Sequence, residues 1–330
     1  MVTHRANSIY KPLDAAREIR LLKIVHTHPE IVCVLNTVSL HDNPQFSALS
    51  YEWGDPATTR PIILNGSTTL VTTNLARALE HVCYHWTARF PDRDASSCRL
   101  WVDAICINQN DIHEKNQQIQ LMETLYAGAE MVICWIGPLH RESQIAFESC
   151  MVLDMEIKRH PFELGKEVNL DWMKEYPEIF CENTPQDVNF GNRNWAAICR
   201  MLGSKYWKRV WILQELVLAR NALIVCGKMS IELGSLLSIA EWFTQARRQN
   251  RPAHVSSTVW NTIVAPHLLG WECLMRIVVL KLGLIGRRQH LTPLTLKKSQ
   301  AGWRKDGSCL RLEDSIKQQI QEIMFTGFWD

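Results

Sequence analysis

Short apolar runs bounded by turn residues fill the first quarter of the chain and predict strands. EIRLLKIV and IVCVLN are each typical of a strand, and ALSYEW predicts another that stops at Gly54. The Asn65-Gly66 pair lies between the apolar run IIL and the β-branched run STTLVT, which is the strongest short signal for a hairpin. The sequence therefore predicts an N-terminal region of strands and hairpins.

Strands and helices alternate in the part of the chain that follows. Asn74 is a candidate N-cap for a helix whose inner stripe includes Leu79 and Val82. The apolar run LWVDAICI begins the next unit, and Asp111 with Glu114 forms a capping-box-like start to an amphipathic helix. AEMVICWIGP closes the unit as another apolar run. This alternation predicts an α/β fold in which a parallel sheet carries helices on both faces.

The second half of the chain is mostly helical in its pattern. A helix is predicted from Glu142 to about His160, and the polar segment 161–193 is interpreted as an insertion. NWAAICRML and KYWKRVWILQELVLA predict further helices, and ALIVCG predicts one more buried strand. We therefore expect three regions: lead-in strands over 1–45, a main domain over 46–228 with a helical insertion at about 140–193, and a helical, poorly patterned region over 229–330.

Composition and charge indicate a soluble globular protein. Hydrophobic residues make up 46% of the 330 positions, and Lys plus Arg number 36 against 34 for Asp plus Glu. The resulting net charge of +2 provides no basic surface, so no nucleic-acid partner is expected. The N-terminus has no secretory signal, which predicts a cytoplasmic protein. The apolar stretch from His267 is interrupted by Glu272, Arg276 and Lys281, which favours a buried or partner-facing helix over a membrane span.

The cysteines and histidines form no recognisable metal motif. Eleven cysteines are scattered without a CxxC pair and are interpreted as reduced core thiols. His81 and His85 lie one helical turn apart, but no second ligand pair stands at zinc-site spacing. We therefore expect no metal site, and a half-exposed helix face explains the two histidines.

Glu215 is an acid where helix periodicity calls for an apolar residue. Its neighbours three and four positions away are apolar, namely Trp211, Ile212, Leu218 and Ala219. One interpretation is a structural acid satisfied by backbone donors or by an arginine such as Arg209. The other is a functional acid whose burial serves a reaction.

Polar and aromatic residues follow the predicted parallel strands, where ligands of α/β sheets bind. Tyr51, Trp53 and Asp55 follow the first core strand, and Asp103 and the segment from Cys106 to Gln109 follow the second. We therefore expect a pocket at this edge. Alternatives stay open at several positions. Asp103 and Asn108 are also typical of groups that organise their own loops, and Cys106 is either a core thiol or a nucleophile. Core positions also explain the tryptophans, namely Trp101, Trp135, Trp207 and Trp211.

Four segments in order carry a family resemblance. FSALSYEWGDP, RLWVDAICINQND, QLMETLYAGAEMVICWIG and RVWILQELVLA are similar to successive motifs of the fungal heterokaryon incompatibility (HET) domain, and the resemblance covers about residues 19–228. It implies a role in nonself recognition, with growth arrest or death of fused cells. It also implies a TIR/flavodoxin-like parallel sheet, because ALSYEW and RVWILQELV resemble segments of TIR domains.

The TIR resemblance also implies a reaction and a site. The glutamate of NAD-cleaving TIR domains corresponds here to Glu215, which would stabilise the oxocarbenium-like charge formed as the nicotinamide–ribose bond breaks. NAD would then be a substrate, and no cofactor is expected. The candidate substrate contacts include a stacking aromatic ring and several polar groups, namely Tyr51, Trp53, Asp55, Asp103, Asn108, Gln109 and Trp211.

Two function classes therefore follow from the same motifs. The first is a TIR-like hydrolase of NAD. The second is a signalling module without chemistry, which self-associates or binds another incompatibility or NLR-type protein. The chain departs from the family after ALIVCG, since the Asp-Pro-Arg-Asp stretch and the Tyr-Ala-Leu-Leu-Gly-like run are not found. We therefore expect a truncated or altered C-terminal region, which leaves open whether the chain signals on its own.

Overall fold

A computed structural model describes the greater part of the chain, namely residues 9–14, 16–163, 165–183, 191–264 and 269–288. The end of the poorly patterned region expected over 229–330, from residue 289 onward, lies outside the described residues. The chain forms two compact units. The first comprises the described residues of Met1–Arg141 and Leu218–Leu233, and the second comprises those of Glu142–Val217 and Gly234–Asp330. The three regions expected from the sequence stay a prediction.

A nine-stranded sheet lies in the first unit. Its spatial order is β5-β4-β2-β1-β6-β3-β7-β8-β9. The strands are β1 (Glu18–His26), β2 (Val32–Ser39), β3 (Ser47–Tyr51), β4 (Thr59–Leu64), β5 (Ser67–Thr72), β6 (Leu100–Trp101), β7 (Met131–Gly137), β8 (Ala222–Cys226) and β9 (Met229–Glu232).

The sheet is mixed, and the expectation of a parallel sheet is correct only for its centre. Strands β6, β3, β7 and β8 run parallel, as do β2 and β4. Strand β1 is antiparallel to both β2 and β6, and the pairs β4–β5 and β8–β9 are antiparallel as well. Strands joined by tight turns must run antiparallel, whereas only longer crossovers allow parallel neighbours. The hairpins therefore set the direction of the outer strands.

The predicted Asn65-Gly66 hairpin is confirmed by the pairing of β4 with β5. Both turn residues have positive φ, 49° at Asn65 and 77° at Gly66, as a two-residue type I′ turn requires. The Asn65 side chain also accepts a hydrogen bond of 2.9 Å from the backbone N–H of Leu35. The turn is thereby fixed to β2 as well as to its own strands.

Helices α1 (Thr73–Arg89) and α3 (Ile112–Gly128) pack on opposite faces of the sheet. The pairing of β3 with both neighbours puts Trp101 and Val132 on the same face, where Trp101 packs against Tyr126 of α3. Trp135 lies three residues beyond Val132 and so points to the other face, where its indole N–H donates to Asn74 of α1. The expected covering of both faces is therefore present in this unit.

The two helix starts differ in how well the sequence predicts them. Asp111 caps α3 as predicted and accepts hydrogen bonds from the N–H groups of His113 and Glu114. The expectation that Asn74 caps α1 is wrong, because Thr72 is the N-cap. Asn74 lies inside the helix, and its amide is occupied by long-range hydrogen bonds.

The run LWVDAICI forms much less strand than its apolar character suggests. Strand β6 ends at Trp101, and the short helix α2 (Asp103–Cys106) follows. The backbone N–H groups of Ile105 and Cys106 both donate to the carbonyl of Val102, which closes this helical turn. The chain therefore turns away from the sheet immediately after β6.

The second unit is helical in its described residues and has an aromatic core. Rings of Trp172, Phe180, Trp195, Trp242 and Phe243 lie 5.0–6.4 Å apart between centroids. No described helix is long and apolar enough to cross a membrane.

The second unit contains helices α4 (Arg141–Arg159), α5 (Pro177–Phe180), α6 (Arg193–Leu202), α7 (Ile212–Leu218), α8 (Leu233–Ala246), α9 (Ser257–Val264) and α10 (Leu269–Arg288). Of these, α4, α7 and α8 each have one terminal residue in the first unit.

Candidate functional site

Three of the predicted site residues meet at the carboxyl ends of β3 and β6. The indole N–H of Trp53 donates a hydrogen bond of 3.1 Å to a carboxylate oxygen of Asp103. The side-chain amide of Gln109 donates a bond of 3.0 Å to the backbone carbonyl of Asp103. Trp53 is 46% exposed despite its size. We call Trp53, Asp103 and Gln109 the indole platform, because they fix an exposed aromatic ring beside polar groups.

The segment that carries Trp53 is held by Asn74 of α1. The Asn74 amide donates to the carbonyl of Glu52 at 2.6 Å, and its oxygen accepts from the indole of Trp135 at 2.9 Å. Gly54 adopts φ +78°, and an added Cβ there would lie 3.2 Å from the Asn74 Cβ. The backbone beside Trp53 is therefore fixed on both sides.

A buried ion pair that the sequence analysis missed supports the loop with Asn108 and Gln109. Arg20 of β1 contacts Glu114 of α3 through two hydrogen bonds of 2.5 and 2.9 Å, and it also donates to the carbonyl of Cys106. Glu114 in turn accepts the backbone N–H of Asn108 at 2.7 Å. In the sequence, the available signal for this ion pair is Arg20, an arginine within an apolar strand pattern. The sequence pattern explains Glu114 only as part of a helix start.

Tyr51 and Asp55 occupy different surroundings from the indole platform. Tyr51 is a core residue with 2% exposure. Asp55 accepts hydrogen bonds from the backbone N–H of Ala57 and the hydroxyl of Thr58, both at 2.9 Å. Asp55 therefore organises its own turn. Of the two aromatic candidates in the first unit, Trp53 is exposed and Tyr51 is not.

Cys106 has the properties of a core thiol. The side chain is buried, and burial raises its pKa to about 12. Its sulfur accepts from the backbone N–H of Val102 and donates to the carbonyl of Leu100. Because a thiol must ionise to attack, these surroundings favour the structural alternative over the nucleophilic one.

Glu215 is buried in the second unit and paired with Arg209. The guanidinium makes two parallel hydrogen bonds to the carboxylate, one of 2.9 Å and one of 2.7 Å. The Glu215 side chain is 1% exposed, and the guanidinium lies 5.7 Å from the ring centre of Tyr206. The bidentate pair engages both carboxylate oxygens and supplies the charge that a buried acid needs.

A break in the helix makes this pair possible. The sequence pattern predicts one helix over KYWKRVWILQELVLA, but the structure has a 3-10 turn at Lys205–Lys208 and then α7 from Ile212. Arg209 is extended, with φ −68° and ψ 132°. The expectation of a continuous helix is therefore wrong. Since the break displaces Arg209 from the helical path, its side chain can meet the carboxylate six residues later.

The site candidates are divided between the two units, and each set stands by itself. Glu215 and Trp211 belong to the second unit, where the backbone N–H of Glu215 donates to the Trp211 carbonyl at 3.1 Å. The remaining candidate site residues belong to the first unit. Trp211 is partly exposed. The common pocket expected from the sequence stays a prediction.

The histidine pair on α1 is engaged in hydrogen bonds to the backbone. His81 contacts the carbonyl of Arg77 at 2.9 Å, and the buried His85 contacts the carbonyl of Gly227 at 2.8 Å. Burial lowers the pKa of His85. Among the described residues, no group of three or more His, Cys, Asp or Glu side chains could hold a metal ion.

A match to a protein-family model identifies the family of this chain. The model described as Heterokaryon incompatibility protein (HET) matches residues 46–215, from just before β3 to Glu215 itself. The chain belongs to the heterokaryon incompatibility family. Both the indole platform and the Arg209–Glu215 pair lie within the matched residues, so they are features of this chain's HET domain.

One curated relative extends the similarity beyond the family model. The chain is 26% identical over 235 residues to Heterokaryon incompatibility protein 6, OR allele, of Neurospora crassa. The aligned region covers 65% of the chain and 34% of that protein. The chain thus spans about a third of the length of this relative. No solved structure matches the chain.

Proposed function

We propose that this HET-family protein acts in fungal nonself recognition, in the cytoplasm of fused cells, and promotes growth arrest or death by binding other proteins. The partners are further copies of the chain or another incompatibility or NLR-type signalling protein. The observation that carries this proposal is the contrast between an exposed, fixed Trp53 and a buried, fully paired Glu215.

The indole platform has the properties of a binding hot spot. Tryptophan is enriched among residues that dominate interface energies, and a ring that is already fixed loses little conformational entropy on binding. The Trp53 ring is tied to Asp103, while the neighbouring Asn74 bonds fix the backbone. A partner could therefore pack an apolar or planar group on this ring without rearranging the domain.

Glu215 has the properties of a structural acid under this proposal. A carboxylate that stabilises a ribose cation must contact the substrate, whereas the oxygens of Glu215 are held by Arg209. The same pair joins the 3-10 turn at Lys205–Lys208 to α7 across the helix break. Loss of either partner would leave a buried charge and disturb this part of the HET domain.

TIR-like NAD hydrolysis is a second candidate function, and one observation favours it. An exposed indole beside polar groups is suited to stacking on a flat heteroaromatic ring. In this version Glu215 is the catalytic residue and has to exchange its contacts with Arg209 for contacts with the ribose. Asp103, Asn108 and Gln109 would then bind polar groups of the dinucleotide.

Inducible expression of the chain in a fungal host tests the binding proposal. We expect Trp53→Ala to reduce growth arrest about tenfold or more, because loss of a hot-spot aromatic typically costs at least 2 kcal/mol. Leu70→Ala is the matched control, since Leu70 is 66% exposed on β5 and lies outside the indole platform. Equal arrest by Trp53→Ala and wild type would contradict the proposal.

A further inference from the structure

A cavity of about 550 Å³ lies in the first unit, beside β1, β2 and the β4–β5 hairpin. Its volume is within the range of small-molecule sites, which is roughly 300–1,000 Å³. The described lining includes six polar side chains, namely Lys11, Arg20, Asn36, Thr37, Asn65 and Ser67. We infer that this cavity binds a small sugar phosphate, and that Lys11 and Arg20 contact its phosphate group.

The charges of the cavity favour an anion. Two residues of the described lining are charged, Lys11 and Arg20, and both are cationic. The charge of Arg20 is balanced by the Glu114 carboxylate of α3. Lys11 is exposed and forms no ion pair within the described part of the chain. The lining therefore carries a net positive charge, and a phosphate monoester carries the opposite charge.

Arg20 is held in a fixed position at the cavity. Its terminal nitrogens donate to both carboxylate oxygens of Glu114, to the carbonyl of Cys106 and, at 2.7 Å, to the carbonyl of Lys11. The guanidinium carbon also lies 5.0 Å from the ring centre of Tyr10. A side chain that is already fixed loses little conformational freedom when a ligand binds to it.

One donor of Arg20 has no acceptor. Its Nε atom is buried and forms no hydrogen bond within the described residues. A buried donor without an acceptor is destabilising, so nearly all such groups are paired with protein, water or ligand atoms. Because Arg20 lines the cavity, an oxygen atom of a bound phosphate would be the missing acceptor. This unpaired donor is the observation that points to an oxygen-rich anion.

The strand residues of the lining suit the hydroxyl groups of a sugar. Thr37 is directly opposite Arg20 in the pairing of β1 with β2, so the two side chains lie on the same face of the sheet. The Asn65 oxygen accepts the N–H of Leu35, which leaves its amide N–H groups as donors. Ser67 adds a hydroxyl at the start of β5. Such groups bind hydroxyls as donors and as acceptors.

Thermal unfolding of the full chain with increasing ribose 5-phosphate tests the site. A ligand that binds the native state raises the melting temperature, and the concentration dependence gives the Kd. Ribose and inorganic phosphate are titrated in parallel at constant ionic strength, which removes general effects of salt. We expect a saturable rise with ribose 5-phosphate, binding of inorganic phosphate that is weaker by about tenfold, and no rise with ribose.

Matched variants assign the binding to this cavity. Lys11→Gln should raise the Kd for ribose 5-phosphate by about tenfold or more, because a charge-assisted hydrogen bond is lost. Lys23→Gln is the control, since it removes the same charge from β1 but lies three residues from Arg20 and so on the other face of the sheet. Thr37→Val keeps the branched shape without the hydroxyl and should raise the Kd about threefold.

The inference is overturned if ribose 5-phosphate gives no saturable rise in melting temperature. It is equally overturned if ribose or inorganic phosphate binds as tightly, or if Lys11→Gln binds ribose 5-phosphate as tightly as Lys23→Gln. The titration needs no variant at Arg20, whose loss would leave Glu114 buried without its partner. No described lining residue belongs to the indole platform, so the growth-arrest test of Trp53 is separate from this outcome.

Discussion

The Arg209–Glu215 pair explains why an acid occupies an apolar helix face. A buried carboxylate needs both a counter-charge and hydrogen-bond donors, and a guanidinium supplies both in one planar group. The pair forms because the chain is extended at Arg209 and resumes as a helix at Ile212. The sequence pattern identified Glu215 as exceptional and Arg209 as a candidate partner. It could not reveal the break, since the apolar spacing alone suits a continuous helix.

Replacing one member of the Arg209–Glu215 pair should lower the free energy of unfolding more than replacing both members. We expect Arg209→Met to lower the free energy of unfolding by about 3 kcal/mol, because the carboxylate stays buried without its partner. The double variant Arg209→Met with Glu215→Leu should recover most of this loss. Urea unfolding of the single and double variants measures the difference. A double variant as unstable as the sum of the two single variants would show that the pair has no structural role.

His85 gives the stability of the first unit a dependence on pH. Burial lowers its pKa below the ordinary value of 6.5, while its ring contacts the carbonyl of Gly227. Neutral His85 therefore favours the folded state, and its contribution is complete above the unfolded pKa and is lost as pH falls through the folded pKa. We expect the stability difference between wild type and His85→Gln to shrink from pH 7.5 to pH 5, measured by urea unfolding. A constant difference would contradict this.

At the scale of helices and strands, the sequence predicts features that depend on neighbouring residues better than features that depend on distant ones. The Asn65-Gly66 turn and the Asp111 cap depend on neighbouring residues, and the sequence predicted both. The role of Asn74 depends on Trp135, which is 61 positions away, so the sequence suggested a cap instead. The mixed order of the sheet likewise depends on the pairing of β1 with β6, which no local pattern encodes.

The Asp111 cap offers a test of one such local signal. Asp111→Ala removes the acceptor for two N–H groups at the start of α3, and we expect a loss of about 1 kcal/mol in unfolding free energy. Asp92→Ala is the control, because Asp92 is exposed between α1 and β6. Equal stability of the two variants in urea unfolding would contradict the assigned cap.

At the scale of the whole molecule, the HET domain combines a mixed sheet with a helical unit that carries Glu215. The indole platform could be predicted from the sequence because Trp53, Asp103 and Gln109 follow neighbouring strands, whose carboxyl ends share an edge. The Arg20–Glu114 support could not, because its two residues are 94 positions apart. These contacts fix an aromatic surface, which is the basis of the proposed binding function.

The most direct test of the account is the rate of NAD loss with purified full chain at high concentration. The measurement includes Glu215→Gln, with circular dichroism to establish which protein is folded. The account predicts that folded wild type leaves NAD unchanged and that Glu215→Gln lowers the melting temperature, as expected for a structural acid. NAD consumption by the wild type that disappears in a well-folded Glu215→Gln variant would contradict it and establish Glu215 as a catalytic residue.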